Sequence, residues 1–139
     1  GADAVESFRQ VDAPVPFFSD LSRLQIIFNN MISNAVRYRD TRKDSCFLRV
    51  EIAVDESSAT IRFIDNGVGI AEEYTDKIFK MFFRANADSK GSGLGLYIVK
   101  SAVEKLNGRI TVHSKIGEGT TFTVHVPNLK RPATLSAHQ

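Results

Sequence analysis

A chain of 139 residues, 42% of them hydrophobic and ten of them phenylalanine, is long enough for one domain with a real core. Charged residues make up 24% and nearly balance at a net +2, which argues against a nucleic-acid or membrane-surface protein, since either would show a basic run or stripe. The single cysteine, Cys46, cannot form an internal disulfide, and no apolar run approaches the roughly 20 residues of a membrane helix. With no secretory signal visible at the start, a reducing, cytoplasmic compartment is the expectation.

Residues 1–15 are weakly patterned and read as a linker remnant or one edge strand. From Ser19 to Asp40 the pattern is helical: Leu21, Leu24, Phe28, Met31 and Ala35 recur at spacings of three and four. Ser19 or Asp20 suits its N-cap. Asn30 and Asn34 stack on one face of this helix, and Arg37 and Tyr38 extend that face by a turn. Carboxamide oxygens suit a hard cation and a guanidinium suits phosphate oxygens. An ordinary solvated face would also tolerate two asparagines.

Two alternating segments follow, Phe47 to Val54 and Ala59 to Asp65, which predict an antiparallel hairpin. Asp65-Asn66-Gly67-Val68-Gly69 closes it. A carboxylate at a strand end can accept from an exocyclic amine, and glycines let backbone approach a flat ring; a plain Asp-Asn-Gly turn is the competing reading. A short helix is predicted from about Ala71, with Met81-Phe82-Phe83-Arg84 at its end, then a small polar loop over Ala85 to Lys90. Gly91-Ser92-Gly93-Leu94-Gly95-Leu96 leads into an apolar helix over Tyr97 to Leu106, ended by Asn107-Gly108. Alternating glycines before a helix make a phosphate cradle of backbone N–H groups or a flexible hinge. The run is neither a P-loop nor a dinucleotide fingerprint. Arg109 to His113 and Thr120 to Val126 predict a second hairpin, and residues 128–139 a tail. Hairpins alternating with helices predict an α+β domain, with about three helices covering one face of a mixed, mostly antiparallel sheet.

Taken together and in order, Asn30-x-x-x-Asn34, Asp65-x-Gly67-x-Gly69 and Gly91-x-Gly93-x-Gly95 resemble the asparagine box and the two glycine boxes of the sensor histidine kinases. Those kinases belong to the superfamily that also holds gyrase, the heat-shock chaperone ATPase and the mismatch-repair ATPase. Phe79-x-x-Phe82 with Phe83 resembles the family's phenylalanine box, and Gly117-Glu118-Gly119-Thr120-Thr121-Phe122 its last glycine turn. The resemblance spans residues 16–127. Asn30, where the gyrase-like branch usually has a catalytic glutamate, favours the kinase branch.

The resemblance implies the Bergerat ATP-binding fold, a two-layer α/β sandwich, with ATP and Mg²⁺ as cofactors. It implies that Asn30 and Asn34 hold Mg²⁺, that Arg37, Arg84 and Lys90 meet phosphate, and that Tyr38 lies by the nucleotide. Asp65 would receive the adenine amino group, with Gly67, Gly69 and Ile70 shaping the pocket. Gly91, Gly93, Leu94, Gly95 and Leu96 would present the phosphate-binding backbone, residues 85–90 would form a lid, and Thr121 would sit beside Asp65. Catalysis would rest on Asn30, Asn34, Arg37 and Arg84.

The resemblance also implies transfer of the γ-phosphoryl to a histidine, then to an aspartate of a response regulator. His113 and His125 lie in the last predicted hairpin and read as strand residues, and His138 lies in the tail; none carries the acceptor pattern. The dimerisation and phosphoacceptor domain is therefore expected on another part of a longer parent, either free in the cytoplasm or anchored in the inner membrane. This piece is expected to be monomeric. A non-catalytic nucleotide-sensing or docking module and a serine kinase of the same superfamily are the alternatives.

Overall fold

The computed structural model describes residues 4–83 and 93–129. Five strands and two α-helices are present among them: β1 (Val5–Asp12), α1 (Leu21–Arg37), β2 (Cys46–Val54), β3 (Ser58–Asp65), α2 (Gly95–Lys105), β4 (Arg109–Lys115) and β5 (Gly119–Pro127). The sheet order is β1-β2-β3-β5-β4. Only β1 and β2 run parallel; the other neighbours are antiparallel.

Strand alternation decides which face is covered. Leu48, Val50 and Val54 of β2, Ala59, Ile61 and Phe63 of β3, and Phe122, Val124 and Val126 of β5 are buried on one face. Ile27, Met31 and Ala35 of α1 and Val99, Ala102 and Val103 of α2 meet them. Phe28 packs edge-on against Phe63 with ring centroids 5.2 Å apart. The opposite face carries Arg49, Arg62, Thr111 and Thr123, and among the described residues no helix covers this open face. His125 sits there with its Nδ1 3.0 Å from the Thr60 hydroxyl, and His113 is an exposed residue of β4.

Local chemistry sets the helix ends. Asp20 is the N-cap of α1, accepting from the Arg23 amide at 3.2 Å and from its guanidinium at 2.6 Å. α2 stops where Asn107 turns to φ 59°, while the Asn107 and Gly108 amides return to Glu104 and Val103 at 2.9 and 3.0 Å. That is the doubly bonded left-handed helix ending. Cys46 is buried at the start of β2, its thiol donating to the Asp40 carbonyl at 3.3 Å.

The short helix expected from Ala71 is a single 3₁₀ turn, Glu72–Tyr74, followed by further turns. Tyr74, Thr75, Lys77, Lys80 and Phe83 bond back three residues, and Ile78 alone among these turns bonds back four, to Tyr74. This tighter winding seats Tyr74, Ile78, Phe79 and Phe83 against the core at uneven spacing. The described residues therefore hold two α-helices, not three.

Asn128 joins three segments just beyond β5. Its side-chain oxygen accepts from the Phe18 amide and its side-chain nitrogen donates to Pro16 and Asp55, all at 2.9 Å. Its own amide reaches Ser57, and the next amide, of Leu129, reaches Phe18.

Candidate functional site

A cavity of about 480 Å³ opens between the last turn of α1, the end of β3 and the start of α2. Asn34 and Tyr38 come from α1, and Asp65 from β3. Val68 to Ala71 form one wall and Tyr74, Ile78 and Phe83 another, while Leu96, Ile116 and Thr120 complete the lining. It is an apolar slot with few polar groups, the form that takes a flat aromatic ring and fixes it by one or two hydrogen bonds.

Asp65 is the carboxylate in that slot. Its Oδ1 accepts from the Gly67 amide at 2.9 Å and the Thr120 amide at 3.2 Å. Among the described residues no hydrogen bond reaches Oδ2. Burial pushes the Asp65 carboxyl above its ordinary range, against the pull of the two amides and the nearby Lys43 charge. Two glycines permit this geometry. A Cβ on Gly67 would stand 2.5 Å from the Tyr38 carbonyl, and one on Gly119, at φ 128°, would collide with the Asp65 backbone.

The loops around Asp65 are braced from both sides. Asn66 accepts from the Phe47 amide at 2.8 Å and donates to the Ser45 carbonyl at 2.9 Å. Lys43 donates to the Asn66 carbonyl at 2.7 Å and approaches the Glu118 carbonyl at 3.5 Å. The Val68 amide donates to Tyr38 and the Gly117 amide to Val68. Arg42, at the cavity rim, grips both oxygens of Asp40 at 2.9 and 3.0 Å. This holds the Asp40 carboxyl down at about 2, chiefly through the guanidinium bonds. Asp40 is covered by its neighbours, and its desolvation does not outweigh the guanidinium.

At the other end, the Asn30 side-chain nitrogen donates to the Ile26 carbonyl at 2.8 Å. The Asn30 oxygen lies 3.4 Å from where a Cβ on Gly95 would stand. With its nitrogen committed, Asn30 presents an oxygen toward the start of α2, one turn from Asn34. Two neutral oxygens on one stripe fit Mg²⁺, a cation that keeps waters and takes its remaining ligands from phosphates. The N-cap of α2, Leu94, supplies no side-chain acceptor, and among the described residues no hydrogen bond from its side chain caps the first turn, an end that suits an anion.

The structure thus brings Asn34, Tyr38, Asp65, Gly69, Ile70 and Leu96 to one cavity, with Gly67 directly behind Asp65; Asn30 and Gly95 adjoin one another at the start of α2, and Gly93 and Leu94 lead into it, none of the four lining the cavity. Arg37 is exposed on the last turn of α1 and does not line the cavity. Arg84, Lys90, Gly91 and the expected lid of residues 85–90 lie outside the described residues, as does His138. Thr121 is a correction: it pairs with Ile64 on the open face of the sheet, and Thr120, paired with Asp65, lines the cavity. Sequence reasoning also passed over Arg42, Lys43 and Ser114. Thr120 was findable, because it is in phase with Phe122, Val124 and Val126; the two loop cations carried no periodic signal.

Residues 19–130 match the family of histidine kinase-, DNA gyrase B- and HSP90-like ATPases. The chain is 36% identical over 135 residues to the autoinducer 2 sensor kinase/phosphatase LuxQ of Vibrio parahaemolyticus, covering 91% of this chain and 16% of LuxQ. It is 34% identical over 124 residues to the sensor histidine kinase RcsC of Escherichia coli, covering 86% of this chain and 13% of RcsC. The chain therefore spans less than a fifth of either relative. A mycobacterial sensor histidine kinase, MprB, superposes with TM-score 0.75 at 27% identity over 91% of this chain and 84% of its own. Full-length ShkA, solved in complex with AMPPNP, superposes with TM-score 0.78 at 25% identity over 94% of this chain and 27% of its own.

Proposed function

We propose, from the premise that this chain belongs to the histidine kinase-, DNA gyrase B- and HSP90-like ATPase family, that it is the catalytic ATP-binding domain of a two-component sensor histidine kinase. It binds Mg·ATP and presents the γ-phosphoryl to a histidine on a separate dimerisation and phosphoacceptor domain, for relay to an aspartate of a response regulator. The observation that carries the reading is one cavity with a carboxylate at its apolar end and a carboxamide stripe at the other.

In this reading Asp65 accepts the adenine amino group on Oδ2. Val68, Ile70, Ile116 and Tyr38 cover the ring. Asn30 and Asn34 hold Mg²⁺, whose charge, once bound, offsets that of the triphosphate. The amides at Leu94 to Leu96 receive phosphate oxygens, aided by Arg37, Arg84 and Lys90. The site supplies positioning and charge neutralisation, which is most of what phosphoryl transfer requires of a protein. Mg²⁺, the histidine acceptor and the cytoplasmic location belong to this proposal; among the described residues no helix is long and apolar enough to cross a membrane. The catalytic unit is drawn at residues 16–127, and the register of β1 on β2 favours counting residues 5–12 with the sheet.

Calorimetric titration with a non-hydrolysable ATP analogue, with and without Mg²⁺, tests the site. Binding that strengthens with Mg²⁺ is expected, followed by phosphoryl transfer when the parent's acceptor domain is added. No binding under either condition would sink the reading.

A further inference from the structure

Ser114 stands outside the cavity wall, yet three contacts from two other chain segments meet on its hydroxyl. The Ile70 amide donates to Oγ at 2.7 Å, the Gly119 carbonyl lies at 3.0 Å, and the Thr120 hydroxyl at 2.7 Å. A serine hydroxyl has one proton and two lone pairs. Ile70 takes one lone pair. A carbonyl can only accept, so the serine proton belongs to Gly119; sent to Thr120 instead, it would leave two oxygens facing each other at 3.0 Å with no proton between them. The second lone pair then accepts the Thr120 proton. This is the arrangement that satisfies all three contacts, and it turns the Thr120 hydroxyl into an acceptor on the cavity side.

We infer that Ser114 is a specificity-determining positioning residue: it fixes the proton of Thr120 so that Thr120 Oγ1 and Asp65 Oδ2 form an acceptor pair selecting a base with an exocyclic amino group over one with a carbonyl there. The inference rests on the nucleotide-site reading above. Asp65 and Thr120 are opposite one another in the β3–β5 register, and the Thr120 amide is bonded to the same carboxylate. A primary arylamine offers two N–H donors to the pair, whereas a 6-oxo purine sets a third acceptor against two.

The test is the ratio of dissociation constants for ITP and ATP, measured with Mg²⁺ in the full chain. In Ser114→Ala, the Thr120 hydroxyl loses its acceptor and can donate into the cavity. The ratio is expected to fall about fivefold, the worth of one hydrogen bond, and to return in Ser114→Thr. A ratio unchanged while both nucleotides weaken equally would reduce Ser114 to a scaffold residue and overturn the inference. Thr120→Val gives an independent arm, needed if Ser114→Ala does not fold. It should lower the ratio by itself, and adding Ser114→Ala to it should do nothing more; an unchanged ratio in Thr120→Val, or a further fall in the double variant, overturns the inference. Wild-type protein that binds ATP and loses it in Asp65→Asn keeps the site reading whatever the ratio does. Wild-type protein that binds neither nucleotide ends both.

Discussion

The Asp65 carboxylate and the Thr120 amide, 55 residues apart, meet at 3.2 Å on the same oxygen that accepts the Gly67 amide. One oxygen is thereby committed to the fold. In Asp65→Asn the side-chain oxygen can keep both amides, while the new nitrogen turns a donor toward the adenine amine. Adenine-nucleotide affinity should fall about 100-fold or more. The fold should not suffer. Burial raises the folded-state pKa, so this group stabilises the fold when protonated, and that contribution is lost as pH rises through the folded value. At neutral pH the ionised carboxylate is a cost that asparagine removes. A melting temperature at pH 7 equal to or above wild type, beside lost binding, is the expected result.

Lys43 lends its charge to the same carboxylate and ties the Asn66 carbonyl. Lys43→Met should cost about 1.5 kcal/mol of stability. It should also let the Asp65 pKa climb further. Nucleotide affinity falls as pH drops through that pKa, so the midpoint of the affinity–pH curve should move up. Nucleotide titrations at a series of pH values read the shift in the midpoint, and urea unfolding reads the stability.

Gly119→Ala places a methyl against the Asp65 backbone at a φ of 128°, where any side chain is strained. The loss should be about 3 kcal/mol, read from urea unfolding. Nucleotide affinity should fall with it, because the start of β5 must shift and carries Thr120.

Asn34→Ala removes one of the two carboxamide oxygens. Binding in the absence of metal should change little, while the gain on adding Mg²⁺ should shrink about tenfold. A full Mg²⁺ response in the variant would take Asn34 out of the metal site.

Asp40 gives a pH signature of its own. Its folded carboxyl sits near 2 against an ordinary 3.8. Its contribution is therefore present above 3.8 and lost as pH falls toward about 2. Arg42→Ala should flatten that acid limb in urea midpoints measured down the same window, and lower stability at neutral pH, since Asp40 remains covered without its partner.

Most of the fold was legible because its strands alternate cleanly. Phe47 to Val54 and Ala59 to Asp65 became β2 and β3 within a residue or so of their expected ends. The 3₁₀ turn was not legible: Tyr74, Ile78 and Phe79 suit a helical spacing as well as successive tight turns, and only tertiary packing decides between them. In the site, residue type and spacing left Asp65 and the asparagine stripe open to a plain turn and a solvated face; the ordered resemblance singled them out, and Asp65 and Asn34 line one cavity. The glycine turn ends in two adjacent threonines, Thr120 and Thr121, and strand phase, not motif, separates them. Lys43 and Arg42 act through loop carbonyls and a loop carboxylate, contacts that follow no period.

The Asn128 junction has a mechanical consequence. It sits beside Ser57 and Asp55, at the opposite end of the eight-residue strand β3 from Asp65, roughly 23 Å away at the rise of a strand. The segment leading into α1 and the segment leaving β5 are both anchored there. Tension on either is therefore borne first by the bonds among Pro16, Phe18, Asp55, Ser57 and Asn128, a strand's length from the Asp65 cavity.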